Sequence, residues 1–138
     1  MDKTKKRALK LANKKVAFVG SVNEHNVPNI KAMSVAKHNG LETFYFVSNH
    51  SETKTEHYKR NFNACIYFTG GPIYKELILE GIMKVFHGDD IKRFTWKNNN
   101  RSAYKDDIIN DSDYCVLQFI TKKGRFHHWF KTEAFEMD

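Results

Sequence analysis

Residues 51–54 combine hydroxyl groups and a cation at the start of a predicted helix. A turn at residues 49–50 interrupts an apolar stretch, and Ser51 is a residue type that commonly caps the helix that follows it. Lys54 then falls in the first turn, where its charge opposes the helix dipole by roughly 0.3–1 kcal/mol unless an anion lies between them. With Thr53 and the free backbone N–H groups, these side chains are suited to bind a phosphate. An ordinary solvated helix start would have the same residues.

The elements around this turn must hold it in place. The segment Thr43–Val47 alternates β-branched and aromatic residues, which predicts a strand packed on both faces. The helix after the turn is predicted at about 52–61. Thr55, Tyr58 and Phe62 share one face of it and would pack it against the sheet.

The rest of the chain indicates an antiparallel barrel. After a helix at residues 1–14 the apolar pattern changes to a period of two, with turn residues at short intervals. Asn26 suits a first turn because Asn tolerates the left-handed conformation, and Asn39–Gly40 predicts a two-residue hairpin turn. Gly81 predicts a bulge or tight bend in a long strand. A second helix is predicted at about 89–97, followed by a loop at 98–111.

Composition restricts the class of protein. A chain of 138 residues with 11 Phe has room for one domain with a real core. It contains no apolar run near the roughly 20 residues of a transmembrane helix and no secretory signal. Its two cysteines, Cys65 and Cys115, have no metal-binding spacing and favour a reduced, cytoplasmic protein, with a disulfide between them left open. The net charge of +7 is concentrated in part at Lys3–Lys10, where a solvated amphipathic helix explains it, and it is only a weak indication of nucleic-acid binding.

Several motifs in order resemble the FMN-binding split-barrel family, that is, the pyridoxamine 5′-phosphate oxidase-like proteins, and in particular their general stress protein branch. The resemblance covers about residues 15–132. The motifs are Val16–Val22 for the first strand, Val27–Ser34 for the second, Phe44–Asn49 with Ser51 and Lys54 for the third strand and helix start, Asn61 with Ala64–Phe68 for the fourth strand, Leu79–Met83 for a glycine-kinked fifth strand, and Asp113–Phe119 with Lys123–Phe126 for a closing hairpin.

The resemblance implies a mainly β fold, an antiparallel six- to seven-stranded Greek-key split barrel with flanking helices. It implies a single domain over residues 1–138, with an N-terminal helix at 1–14 and a barrel at about 15–132 carrying inserted helices near 52–61 and 89–97. It also implies an FMN cofactor and a homodimer with the flavin at the subunit interface. The last strand would carry Trp129 and bring it to the partner's flavin. The implied cofactor-binding residues are Lys31, Ala32, Met33, Ser34, Val47, Ser48, Asn49, Ser51, Thr53, Lys54 and Trp129.

The resemblance implies an FMN-dependent oxidoreductase in which NAD(P)H is the expected electron donor and the substrate is unknown. No residue stands out as an obligatory acid or base, and no metal site is expected, because the adjacent His127 and His128 point to opposite faces of a strand. Arg125 and His127 only superficially match the arginine and histidine of true pyridoxamine phosphate oxidases. The alternatives are a flavin-binding stress or carrier protein without turnover, a barrel that holds a deazaflavin or heme, and a basic nucleic-acid-binding barrel that stacks bases on Tyr45 or Phe126.

Overall fold

The computed structural model describes residues 2–49, 53–71, 74–87 and 114–138. The predicted helix near 89–97, the loop at 98–111 and the predicted cap Ser51 lie outside these ranges, as do the side chains of Asn49, Thr53, Lys54 and Tyr114. The described elements, in order, are α1 (Lys3–Ala12), β1 (Val16–Val22), β2 (Pro28–Asn39), β3 (Thr43–Asn49), α2 (Thr53–Arg60), β4 (Asn63–Gly70), β5 (Lys75–Phe86), β6 (Tyr114–His128) and β7 (Lys131–Glu136).

The strands form an antiparallel sheet that closes on itself. Their order is β3-β2-β1-β4-β5-β6-β7, and an additional pairing of β3 with β6 joins six of them into a barrel, leaving β7 outside the ring. β4 returns to lie beside β1 after the meander of the first three strands, which is the Greek-key arrangement. The predicted fold class is therefore confirmed.

Strand β6 differs from the sequence prediction of a closing hairpin. It runs without interruption from Tyr114 to His128, pairing with β3 along its first half and with β7 along its second. Gly124, which suggested a turn, serves close packing instead, because a Cβ there would lie 2.5 Å from Phe135 Cζ and 2.8 Å from Leu79 Cδ2. The hairpin turn comes later, at Trp129 and Phe130, so that β7 is the last strand.

Gly81 lies at an irregularity of the barrel, as predicted. The pairing register between β5 and β6 shifts between Glu80 and Gly81, so that Lys122 has no place in the ladder. A Cβ at residue 81 would lie 2.0 Å from the Ile120 carbonyl oxygen. The glycine thus permits the close approach that closes the barrel.

The two helices pack on the barrel through small and aromatic residues. α1 buries Ala8, Leu11 and Ala12, and its N-cap carboxylate at Asp2 accepts a hydrogen bond of 2.7 Å from the Lys5 backbone N–H. α2 is set against a core that includes Phe44, Phe46, Phe68 and Phe119. Neither described helix is long and apolar enough to cross a membrane.

Three residues are predicted to pack α2 against the sheet, and the prediction is correct for two of them. Thr55 and Tyr58 are buried, but Phe62 is 60% exposed. The helix ends at Arg60, so Phe62 no longer follows the helical phase, and its carbonyl accepts a hydrogen bond from the Met83 N–H of β5. The prediction for Phe62 is wrong because the helix stops two residues before it.

Candidate functional site

A split between β2 and β3 is the feature around which the candidate residues gather. The ladder between the two strands runs from the Asn39–Thr43 pair to the Val35–Phe46 pair and ends there. From that point β2 continues along β1, whereas β3 continues along β6. Residues 28–34 of β2 and residues 47–49 of β3 are thus no longer paired with each other, and the unpaired region between these two edges is the split.

The predicted flavin contacts Lys31–Ser34 and Val47–Asn49 lie on the two walls of this split. On β2, Met33 is buried opposite Ala17, whereas Lys31, Ala32 and Ser34 are exposed. On β3, Val47 is half-buried and Ser48 is buried. The structure therefore brings two separate sequence segments to one opening, with a cation on the β2 side.

Helix α2 is fixed at the β3 end of the split by buried side-chain hydrogen bonds. The hydroxyl groups of Ser48 and Thr55 lie 3.3 Å apart and join the end of β3 to the first turns of the helix. The Tyr58 hydroxyl donates to the Gly20 carbonyl at 2.9 Å. Because these contacts fix the helix, its first turn, which carries Thr53 and Lys54, is held beside the split.

A further contact in this anchor was not predicted from the sequence. Ser21 Oγ lies 2.8 Å from His57 Nδ1, and both residues are buried. The pair joins α2 to β1 across 36 positions of sequence, so no local pattern indicates it. Burial also raises the pKa of the neighbouring Tyr58 phenol well above its usual range, so that Tyr58 stays a neutral donor.

The remaining predicted contact, Trp129, lies away from the split of its own chain. It occupies the turn after β6, is 59% exposed, and borders a cleft formed with α1. The prediction that Trp129 belongs to the last strand is wrong, because the residue has left β6 and its φ of 55° is incompatible with a strand. Contact between Trp129 and a flavin in such a split would require a second chain.

The outer face of β2, β1 and β4 exposes apolar side chains near the split. Phe18 pairs with Ala32 on one side and Tyr67 on the other, and Ile30 pairs with Gly20. Ile30 is 71% exposed and Phe18 is 40% exposed. A groove of about 380 Å³ lies beside them, with Ile30 and Cys65 among its lining residues.

Cys65 has an electrostatic environment that disfavours its thiolate. The residue is exposed as a whole, but its sulfur lies against the backbone of Gly20; this partial burial raises the pKa of the thiol, and the charge of Glu80 raises it further. Glu80 is held by Arg125 at 3.1 Å and Lys123 at 3.5 Å. No disulfide joins Cys65 to Cys115.

Three other points raised by the sequence concern base stacking, the Arg125 and His127 pair, and metal binding. Tyr45 and Phe126 are buried, so neither is a stacking platform for nucleic-acid bases, and that part of the nucleic-acid hypothesis is wrong. Arg125 and His127, which superficially match residues of true pyridoxamine phosphate oxidases, both have partners within the fold. Arg125 pairs with Glu80, and the His127 ring forms a hydrogen bond of 2.8 Å with the Thr132 hydroxyl. Among the described residues, no three His, Cys, Asp or Glu side chains cluster closely enough to hold a metal ion.

Comparison with solved structures gives matches over nearly the whole chain. A protein from Clostridium acetobutylicum, described as related to general stress protein 26 of Bacillus subtilis and as a member of the pyridoxinephosphate oxidase family, shares 31% identity with a TM-score of 0.88, covering 100% of this chain and 98% of that one. General stress protein 26 from Bacillus anthracis has 12% identity and a TM-score of 0.74, over 96% of this chain and 98% of that one. A heme binding protein from Mycobacterium smegmatis has 12% identity and a TM-score of 0.81, and the match covers 99% of this chain but 59% of that one. The last two likenesses, at 12% identity, show the fold alone. No family model and no curated protein sequence matches this chain.

Proposed function

This chain belongs to the pyridoxamine 5′-phosphate oxidase-like family, in the branch related to general stress protein 26, and on that premise we propose that it binds FMN at the split between β2 and β3 and acts as an FMN-dependent oxidoreductase. The observation that carries the proposal is the divergence of these two strands. The segments 31–34 and 47–49 lie on the two edges that part there, and Ser48 of the second segment contacts Thr55 of α2.

The residues at the split fit the parts of the flavin. Strand edges that diverge from a ladder present backbone donors and acceptors to a ring system in place of a neighbouring strand. The first turn of α2 has backbone N–H groups and the residues Thr53 and Lys54 for a phosphate. Lys31, exposed on the β2 wall, would supply positive charge beside the ring.

The protein's own part in the chemistry would be to position and tune the cofactor. Bound FMN would supply two-electron redox chemistry, with NAD(P)H as the expected donor. A cation such as Lys31 near the ring favours the reduced, anionic form. The Ser48–Thr55 and Ser21–His57 contacts keep the phosphate-binding turn in a fixed place relative to the walls.

We further propose that the active form is a homodimer joined through the apolar outer face of β2, β1 and β4. Exposed apolar side chains that are contiguous across three strands are typical of an interface. A second copy would bury Phe18 and Ile30 and deepen a shallow split into a pocket.

The first test is an absorption spectrum of the purified protein after mixing with FMN and desalting. Wild type should retain oxidised flavin bands near about 375 and 450 nm. Lys54→Ala should weaken FMN binding by roughly tenfold to a hundredfold, because a charge-assisted hydrogen bond to phosphate is lost. The matched control is Lys59→Ala, in the last turn of the same helix, where Lys59 pairs with Glu56 at 3.9 Å and should leave binding unchanged. A wild-type protein that keeps no flavin refutes the proposal, and a Soret band retained after mixing with heme and desalting would then make heme the alternative ligand.

A second measurement separates turnover from storage. Anaerobic mixing of the FMN-loaded protein with NADH or NADPH should bleach the flavin band within seconds to minutes. A protein that retains FMN but is not reduced by either nucleotide is a flavin carrier without this activity.

The dimer is tested by light scattering after size-exclusion chromatography. Phe18→Arg should convert a dimer into a monomer, because a charge at the centre of an apolar interface is left unpaired. Phe130→Arg introduces the same change at an exposed aromatic in the turn after β6, away from these three strands, and should leave the dimer intact. A dimer that survives Phe18→Arg would place the interface elsewhere.

A further inference from the structure

A second opening lies at the other side of the fold, formed by α1, the turn from β4 to β5 and the turn from β6 to β7. It has a volume of about 500 Å³, and its walls include four cations, Arg7, Lys10, Lys14 and Lys75. This volume falls within the range of roughly 300–1,000 Å³ of small-molecule sites. None of the predicted flavin contacts except Trp129 borders it.

The cleft carries an excess of positive charge. Glu133, at its edge, interacts with the Thr4 hydroxyl, with Arg7 at 4.0 Å and with Lys131 at 3.4 Å, and the Thr4 hydrogen bond is the leading cause that lowers the pKa of this carboxyl. Among the described residues, no carboxylate lies within 4.0 Å of the ammonium groups of Lys10, Lys14 or Lys75. Cations gathered on facing walls of a concave site attract an anion of more than one charge.

Glycines at the end of β4 shape the cleft around one of these lysines. A Cβ on Gly70 would lie 2.9 Å from Lys14 Cε, 3.0 Å from its Nζ and 3.1 Å from Leu11 Cδ1. The stem of Lys14 therefore lies directly on the backbone of Gly70. Any side chain at residue 70 would displace it from the cleft.

An exposed aromatic ring stands at the mouth of the cleft in an unfavourable backbone conformation. Trp129 is the first of two residues between the paired His128 and Lys131, and its φ of 55° is of the kind that Gly or Asn usually supplies. The turn is tied to α1 because the Arg7 guanidinium donates to His128 Nε2 at 2.9 Å. A bulky, exposed ring held in this way beside cations is a surface on which another planar ring can stack.

We propose that this cleft binds a small aromatic phosphate about the size of a mononucleotide. Lys10, Lys14 and Lys75 hold the phosphate, and Trp129 stacks on the ring. The site is formed by elements other than the walls of the split, so it does not depend on flavin binding there. The volume of the cleft, about 500 Å³, favours a single nucleotide over an extended nucleic-acid strand.

The test is a calorimetric titration of the protein with adenosine 5′-monophosphate, in the presence and absence of saturating FMN. We expect one AMP per chain with the same affinity in both conditions, and no heat with adenosine. Lys14→Ala and Lys75→Ala should each weaken AMP binding roughly fivefold. Trp129→Gly, which relieves the backbone conformation, should weaken AMP but leave inorganic phosphate unchanged.

Two control variants locate the effect. Lys6→Ala removes the same charge from α1 outside the cleft and should bind AMP like wild type. Lys54→Ala removes the predicted flavin phosphate contact and should also leave AMP binding unchanged, so that failure of the flavin proposal and failure of this one give different results.

The proposal is overturned by any of four results: no AMP binding at millimolar concentration, adenosine binding as tightly as AMP, displacement of AMP by FMN, or equal losses in Lys6→Ala and Lys14→Ala. A single-stranded 20-nucleotide DNA that binds more tightly than AMP through the same lysines would replace it with an extended polyanion site.

Discussion

Gly81→Ala is expected to be among the most damaging single-methyl changes in this barrel. The added Cβ would lie 2.0 Å from the Ile120 carbonyl oxygen and 2.9 Å from its carbonyl carbon. A carbon and a carbonyl oxygen approach to about 3.3 Å at closest without repulsion. Both clashing atoms belong to the backbone of β6, so no side-chain rotation relieves the contact and the two strands must separate by about 1 Å.

The loss in the free energy of unfolding of Gly81→Ala has three contributions. Overpacking of this kind costs about 1–3 kcal/mol. One or two ladder hydrogen bonds near the Ile82–Ile120 pair would weaken, at about 1 kcal/mol each. Alanine offsets about 0.5–1 kcal/mol of this loss in stability, because it restricts the unfolded chain more than glycine does. The net loss is about 1–4 kcal/mol, or a fall in Tm of roughly 3–15 °C for a chain of this size.

Urea unfolding followed by circular dichroism measures this loss, and Gly40→Ala is the matched control. Gly40 has a φ of 56°, but a Cβ there meets no atom within 4 Å. Its substitution therefore costs only the conformational term, about 1 kcal/mol. If Gly81→Ala destabilises the protein no more than Gly40→Ala does, the steric account of barrel closure is wrong.

Three further predictions concern the anchor of α2, the thiol and the acid limit. Ser21→Ala should lower the free energy of unfolding by about 1–2 kcal/mol, because His57 loses a buried hydrogen-bond partner; Thr69→Ala, which removes a more exposed hydroxyl, should cost less, and equal losses would contradict the anchor. Cys65 should react with iodoacetamide at pH 8 more slowly than a cysteine in an unstructured peptide, because the pKa of its thiol is raised. Mass spectrometry measures both rates, and an equal or faster rate for Cys65 would show that its thiol pKa is not raised. The lowered pKa of Glu133 means that its carboxylate stabilises the fold above the unfolded value near 4.5, and that this contribution is lost as pH falls through the lowered pKa. Wild type should therefore lose more stability than Glu133→Gln between about pH 5 and pH 3, and parallel urea midpoints over that range would refute the assignment.

Features set by local chemistry were predictable from the sequence. The Asn26 turn has the expected left-handed conformation, with a φ of 60°. The Asn39–Gly40 hairpin is in its predicted place, although three residues rather than two separate the Asn39–Thr43 pair. The irregularity at Gly81 was predictable for the same reason, because a glycine within an otherwise apolar strand usually marks a bulge or a close approach of another backbone.

Features set by distant contacts were not predictable. The Ser21–His57 hydrogen bond joins residues that share no periodic pattern, and it forms only because α2 packs against β1. Gly124 has the residue type of a turn, yet its role is to admit the ring of Phe135 from the following strand. The two walls of the split were recognised through resemblance, whereas the reason that they face one another is a change of pairing partner that no local sequence pattern encodes.

The position of β6 in the sheet also determines when the barrel can form during synthesis. β3 and β5 are complete by Phe86, but both pair with a strand that begins at Tyr114 and ends at His128. At about 5–20 residues per second, the ribosome needs roughly 2–8 s to add the intervening 40 or so residues. During that interval the nascent chain has two long strand edges ready to pair with other chains. A chain that stops at residue 113 should therefore be retained by a chaperone more strongly than one that extends through His128, because only the longer chain contains the strand that pairs with both β3 and β5.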